Sequence, residues 1–174
     1  MFLSVQDLEL RKVRFDTTFA PGQIDLLEGL RQKGPLHAVG SAELVNSLGE
    51  IRVEGHVEGT LTGDCDRCLE PVVVPVDCRF DLLYRPDFEN ESGEEIEIDE
   101  EESEVGFYEG AGLELAEIVR EQVLLSLPAR RLCSAGCKGL CAVCGQNRNI
   151  KECQCQPSLA DERWAALKSL STGD

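Results

Sequence analysis

The sequence predicts an α+β protein with an antiparallel β-rich N-terminal part, a packing helix and a small cysteine-rich C-terminal module. Three observations predict this. Residues 51–61 and 72–83 are β-rich runs, and the first largely alternates apolar with polar side chains, as a half-buried strand does. Residues 113–127 repeat apolar side chains every four positions, which favours a helix. Residues 133–155 hold six of the nine cysteines, a density typical of a metal-stabilised module.

The N-terminal part is predicted as short strands and turns. Residues 12–19 form a β-like run, and the Pro21-Gly22 pair that follows favours a turn. No internal repeat is found in the sequence. The opening residues lack the basic and apolar blocks of a secretory signal and the bias of a transit peptide, so a cytoplasmic location is expected.

The two β-rich runs predict a hairpin whose tip is Cys65-Asp-Arg-Cys68. Pro71 and Pro75 in the second run suggest an edge strand or a break, because proline cannot donate to a sheet ladder. Cys78 lies within the strand pattern and is interpreted as a buried apolar residue.

Residues 87–104 hold eleven of the 33 carboxylates and no lysine or arginine. Without them the net charge of -16 falls to about -5, so the acidity belongs mostly to this segment. We expect a mobile, solvated acidic loop, although an interaction tail that mimics nucleic acid stays open. A chain this acidic repels phosphates, so we do not expect the protein as a whole to bind the nucleic-acid backbone electrostatically.

Two helices are predicted in the C-terminal half. The first covers residues 113–127 and ends before Pro128. Its apolar stripe, interpreted as core packing, comprises Leu115, Val119, Val123 and Leu127, with Ile118 and Leu125 on its flank. The second begins after Pro157, with Ser158 as its cap, and carries Trp164, Leu167 and Leu170.

These patterns divide the chain into four parts. We expect a β-rich domain at 1–86, the acidic loop at 87–104, a packing-helix region at 105–128, and a cysteine-rich zinc module with a terminal helix at 129–174.

The cysteines favour metal over disulfides, because cytosolic thiols stay reduced and nine is an odd number. Cys141-Ala-Val-Cys144-Gly145 has the spacing of a zinc knuckle. The preferred division excludes Cys78 and makes two closed sites. They are Cys141, Cys144, Cys153 and Cys155 in one, and Cys65, Cys68, Cys133 and Cys137 in the other, where the hairpin is stapled to the module. One or two structural Zn²⁺ ions are therefore expected, without an open position for catalysis.

Three other interpretations of the cysteines stay open. Six thiols at 133–155 could share a site while Cys65 and Cys68 stay free. An iron–sulfur cluster also uses four thiolates, although these spacings do not match the common ferredoxin runs. Thiol–disulfide exchange by Cys65 and Cys68 is the enzymatic alternative, but such a motif normally lies between a strand and a helix.

Residues 128–152 form a local basic island that contains a single acid, Glu152. Its cations could contact RNA or a protein partner, or could offset the charge of the thiolates. They are Arg130, Arg131, Lys138, Arg148 and Lys151. His37 and His56 are isolated and are interpreted as ordinary strand residues. No familiar catalytic motif appears, which favours a non-enzymatic role.

Four blocks in this order resemble the YceD family of large ribosomal RNA subunit accumulation proteins. They are CDRCLEPV (65–72), LLSLPARRLC (124–133), CKGLCAVCGQNRNIKECQC (137–155) and DERWAALKSL (161–170). The cysteine positions of the family carry over to the eight residues above. Ala142 stands where proline is common in such knuckles, and Arg148 where an apolar residue is usual.

The resemblance implies a bacterial-type cytosolic factor that affects synthesis, processing or stability of 23S ribosomal RNA, and no reaction is firmly attached to the family. Together with the acidic charge, it favours binding to a ribosomal protein or a pre-50S particle, with rRNA contact through the basic island. A zinc-stabilised interaction module unrelated to ribosomes is the remaining alternative.

Overall fold

The computed structural model describes residues 1–27, 29–87 and 105–156. In chain order the elements are β1 (Phe2–Ser4), α1 (Val5–Leu10), β2 (Val13–Phe19), β3 (Leu30–Gln32), β4 (Leu36–Leu44), β5 (Ile51–Asp64), β6 (Pro71–Pro86), β7 (Val105–Tyr108), β8 (Gly112–Glu114) and α2 (Leu115–Leu125). The α+β class predicted from the sequence is confirmed.

Most strands pair antiparallel in one sheet. Its strand order is β2-β4-β5-β6-β7, and β3 pairs with β5 beyond the end of β4. The long β5–β6 hairpin forms the longest paired part of the sheet, from Ile51↔Tyr84 to Asp64↔Pro71. This hairpin projects the segment 65–70 from one end of the sheet, as the sequence predicts.

The prolines of β6 do not interrupt the strand. Pro75 pairs in register with Thr60, and the strand continues to Pro86. In the described residues, β7 pairs with β6 only from Leu83 to Pro86, so Pro75 lies on an edge. An edge position leaves no ladder hydrogen bond for proline to break on its outer side.

One face of the sheet is covered by α2. The buried residues of this helix include Leu115, Ile118, Val119 and Val123, as the four-residue spacing predicts. Leu125, which was expected on the flank of that face, is instead 71 % exposed, because it lies at the very end of the helix. Cys78 is partly buried under α2, with its sulfur 3.8 Å from the carbonyl oxygen of Gln122.

Two facing glycines lie at the centre of the covered face. Gly40 pairs with Gly55, and each is flanked across the sheet by a phenylalanine, Phe15 on one side and Phe80 on the other. A Cβ on Gly40 would lie 2.5 Å from the ring of Phe15, and one on Gly55 would lie 2.5 Å from that of Phe80. The two rings therefore occupy the space that side chains would fill at these positions.

Three features of the fold are absent from the sequence-based description. Helix α1 occupies residues described there only as part of a β-like region. Strands β1 and β8 form a separate two-stranded sheet, and β7 joins the main sheet in parallel with β6. The predicted boundaries at 86, 104 and 128 stay predictions, and strand pairs cross the first two of them.

The predicted acidic loop, apart from Asp87, and the predicted terminal helix lie outside the described residues. Among the residues that are described, no helix has the length and apolar character needed to span a membrane.

Candidate metal centres

The tip of the β5–β6 hairpin is a tight turn that we call the first knuckle (residues 65–69). The N–H of Leu69 donates to the carbonyl of Cys65 at 2.9 Å, and the N–H of Cys65 donates to that of Glu70 at 2.8 Å. Leu69 has φ 62°, in the left-handed region. This turn directs the sulfurs of Cys65 and Cys68 toward the same point.

The same turn occurs a second time, at residues 141–145, which we call the second knuckle. The N–H of Gly145 donates to the carbonyl of Cys141 at 2.9 Å, and the N–H of Cys141 donates to that of Gln146, also at 2.9 Å. Gly145 has φ 72°, where Leu69 stands in the first knuckle. The sequence alone does not reveal this repeated turn, because residues 65–69 and 141–145 share little beyond the spacing of their cysteines.

The first knuckle contributes to a group that we call the inner site: Cys65, Cys68, Cys133 and Cys137. Its four sulfurs lie within 4.8 Å of one another. Cys65 and Cys137 are 3.8 Å apart at sulfur, and Cys68 and Cys133 are 3.6 Å apart. All but Cys133 are buried. Residues separated by 65 positions in the sequence therefore meet at one point.

The second knuckle contributes to the outer site: Cys141, Cys144, Cys153 and Cys155. These sulfurs also lie within 4.8 Å of one another. None of the four is buried, and Cys144 is exposed. The structure thus brings together the same two groups of four that the spacing predicted, and leaves Cys78 outside both.

The sulfur separations in the inner site fit a single ion. Four sulfurs arranged tetrahedrally around zinc at ~2.3 Å lie ~3.8 Å from one another. The separations of 3.6 and 3.8 Å in the inner site match this value and greatly exceed a disulfide bond of about 2.05 Å. A tetrahedral set of soft thiolates is the ligand set preferred by zinc.

Backbone N–H groups stabilise a thiolate in each knuckle. Those of Cys144 and Val143 lower the pKa of Cys141 to about 6, and the N–H of Val143 lies 3.4 Å from its sulfur. Burial raises the pKa of Cys65, but the N–H groups of Arg67 and Cys133 outweigh burial and lower it overall. Metal binding requires the deprotonated thiol, so these hydrogen bonds favour the binding form.

The two knuckles are packed against each other. The N–H of Leu140 donates to the carbonyl of Arg67 at 2.9 Å, and the guanidinium of Arg67 donates to the carbonyl of Cys137 at 2.9 Å. The side-chain amide of Asn147 reaches Glu70 at 3.3 Å. The outer site is therefore docked on the hairpin tip that carries the inner site.

Asn149 connects the two sites most directly. Its Nδ2 lies 3.3 Å from the sulfur of Cys137, and its Oδ1 accepts the N–H of Lys138 at 2.7 Å. This hydrogen bond is the main cause of the lowered pKa of Cys137. Asn149 itself lies in the loop between Cys144 and Cys153. Nothing in its sequence context distinguishes it, since the contact depends on how the two sites are placed.

The five cations of the basic island are not equivalent. Arg131 is held by Asp66, through its backbone N–H at 2.7 Å and its guanidinium at 3.3 Å. Lys138 forms an ion pair with Glu152 at 2.8 Å. The other three, Arg130, Arg148 and Lys151, are exposed.

The two histidines lie on the uncovered face of the sheet, His37 on β4 and His56 on β5, and neither belongs to a four-cysteine group. His37 contacts Asp16 at 2.8 Å and Glu58 at 3.4 Å, and His56 contacts Asp77 at 2.7 Å. The bonds to Asp16 and Glu58 raise the pKa of His37 above its ordinary value. These contacts fit the interpretation of both as ordinary strand residues.

Comparison with known proteins gives consistent matches. The chain is 26% identical over 143 residues to "Large ribosomal RNA subunit accumulation protein YCED homolog 1, chloroplastic" of Zea mays, covering 67% of this chain and 48% of that one. The Arabidopsis thaliana protein of the same name is 25% identical over 151 residues, covering 75% and 47%. An uncharacterized protein of Mycobacterium tuberculosis is 32% identical over 125 residues, covering 71% and 57%.

The chain spans about half the length of the curated relatives it matches. No solved structure matches it. The family described as "Large ribosomal RNA subunit accumulation protein YceD" matches residues 53–171, a range that includes all eight cysteines of the two sites. The chain belongs to the YceD family.

Proposed function

We propose that this protein is a zinc-stapled, non-enzymatic factor that supports the accumulation of 23S ribosomal RNA by binding a ribosomal protein or a pre-50S particle. The family and the names of two relatives support the ribosomal role. The single structural observation that carries the proposal is the pair of closed four-sulfur groups. Such groups hold a shape and leave no position at which a metal could activate water.

Zinc is the ion that best fits both groups. An iron–sulfur cluster spreads its four cysteines over several iron atoms, so it needs a larger cage than sulfurs 3.6 and 3.8 Å apart provide. Zinc binding to the module would contribute directly to its folding, because the described part of residues 129–156 contains only one isolated β-bridge and no helix or strand. We therefore propose residues 129–174 as a metal-dependent unit, whose described residues, 129–156, contact the hairpin tip.

Charge favours a protein partner over naked RNA. Residues 128–152 carry five cations and one acid, a net charge of +4. A zinc ion with four thiolates carries 2 − 4 = −2, so two loaded sites contribute about −4. The island is then close to neutral, in a chain whose net charge is -16. Any rRNA contact would fall to the exposed Arg130, Arg148 and Lys151, since carboxylates hold Arg131 and Lys138.

The geometry does not favour thiol–disulfide exchange. The side chain of Cys65 is 0% exposed and that of Cys68 only 3%. A substrate disulfide must reach the attacking sulfur, and this burial leaves neither residue accessible to one. The hairpin tip also lacks the helix N-terminus that lowers a thiol pKa in such enzymes.

Depletion and complementation test the proposal. We expect cells depleted of the protein to lose large-subunit rRNA relative to small-subunit rRNA, and the full chain to sediment with large-subunit precursors. A chain with Cys133→Ser and Cys137→Ser should fail to restore the rRNA ratio, whereas Cys78→Ser, outside both sites, should restore it. An unchanged rRNA ratio after depletion would contradict the proposal.

A further inference from the structure

Leu69 combines two unfavourable features at the tip of the first knuckle. Its φ of 62° is left-handed, and among the described residues it is the only one other than glycine with a positive φ. Its side chain is also 63% exposed. A residue with a Cβ is disfavoured in this region of φ, and most of all a bulky one. The leucine therefore adds strain to the turn and gains little from burial.

The second knuckle shows that the turn does not need a leucine. Gly145 occupies the equivalent position with φ 72° and the same hydrogen bond back to the first cysteine. Glycine adopts this conformation without a steric penalty. Folding and metal binding alone would thus favour glycine at position 69. Exposure alone is ordinary for a single leucine, but a strained φ in addition points to a function for this side chain, and a contact outside the chain is such a function.

The surroundings of Leu69 identify the chemistry of that contact. Asp64, Asp66 and Glu70 are exposed on the same hairpin tip. Two cations lie beside them: Arg67, whose guanidinium donates to the carbonyl of Cys137, and Arg131, which pairs with Asp66. Three carboxylates against two cations leave the tip acidic, and the thiolates of the inner site add to that charge. A leucine inside an acidic rim complements an apolar socket with a basic rim. RNA is a poor match, because phosphates are repelled and leucine has no ring on which a base could stack.

We propose that Leu69 is the apolar anchor through which this chain docks into a socket on a basic protein of the large-subunit precursor. The inference rests on the proposed function and adds to it a defined contact point at the hairpin tip. Binding energy at protein interfaces is concentrated in a few such buried anchors surrounded by a polar rim.

The substitution Leu69→Gly separates the anchor from a structural role. We expect the full-length variant to keep the metal content of the wild type and an unfolding midpoint that does not fall, since glycine relieves the strained φ. Its affinity for large-subunit precursors should drop about tenfold, as for loss of an interface anchor. A midpoint several degrees lower would show that Leu69 serves folding, and unchanged precursor binding would overturn the proposal.

Crosslinking identifies the partner. An aliphatic diazirine side chain at position 69 should crosslink in cells to a basic large-subunit ribosomal protein. The same probe at Val143, which is 58% exposed on the second knuckle, serves as the matched control and should not give that product. A crosslink to rRNA, or equal products at both positions, would refute the proposal that Leu69 docks into a basic ribosomal protein. If the wild-type chain does not sediment with precursors at all, the proposed function itself fails.

Discussion

Removing the inner site should destabilise the whole β-sheet core, because this site joins distant parts of the chain. Cys68 and Cys133 are 65 positions apart, and the chain between them includes β6, β7, β8 and α2. Metal that binds the native chain but not the unfolded one stabilises the fold by mass action, by about 4 kcal/mol when free metal exceeds its dissociation constant roughly a thousandfold. The substitutions Cys133→Ser and Cys137→Ser together should abolish this contribution.

The expected effect is large enough to measure by thermal unfolding. For a chain of this size, 1 kcal/mol corresponds to roughly 2–4 °C, so we expect the midpoint to fall by roughly 8–16 °C when the inner site no longer binds metal. Circular dichroism of the β-sheet signal follows the core rather than the module. Chelator added to the wild type should lower its midpoint by a similar amount.

The outer site provides the matched control. Substituting Cys141→Ser and Cys144→Ser removes the same number of thiols, but the ligands of this site all lie within residues 141–155, outside the sheet. We expect the metal content to drop by one ion and the core midpoint to change little. Equal midpoint shifts in the two double variants, or no shift in the inner-site variant, would refute the claim that metal at the inner site stabilises the β-sheet core.

Three further predictions concern single residues. Asn149→Ala should weaken metal binding at the inner site about tenfold in a chelator competition, because the amide no longer donates to a ligand sulfur, and an unchanged affinity would count against this link. Gly40→Ala should cost about 1–3 kcal/mol in denaturant unfolding, because the new Cβ meets a phenylalanine ring and a backbone oxygen, while Gly34→Ala, with open space around it, should cost far less. The pKa of His37 is raised in the folded state, so its two carboxylate contacts stabilise the fold below the ordinary histidine pKa and this contribution is lost as pH rises through the raised value. The stability difference between wild type and His37→Gln should therefore shrink from pH 5.5 to pH 8.5, about one unit or more on either side of the ordinary histidine pKa, and a constant difference would contradict the assignment.

Local patterns in the sequence were sufficient for the elements that are periodic and the sites that are compact. Alternation in residues 51–61 and the four-residue spacing in 113–127 predict β5 and α2, since burial of one face imposes those periods. The spacing of Cys141, Cys144, Cys153 and Cys155 likewise predicts one group within a short segment. In each case the partners are near in sequence.

The remaining features depend on contacts between distant segments. The parallel pairing of β7 with β6 joins segments that are not neighbours in the sequence, and no local pattern encodes it. Helix α1 is only six residues long, too short for a clear period. The role of Asn149 follows from the docking of one knuckle on the other, and the repeated turn is visible only in its hydrogen bonds.

Metal analysis combined with thiol labelling of the native full-length protein tests the central claim most directly. We expect two zinc ions per chain and eight thiols protected from alkylation until chelator is added, with Cys78 as the only cysteine outside both groups. Protein that contains no metal, keeps its fold in the presence of chelator and exposes the thiols of both groups to alkylation would contradict it.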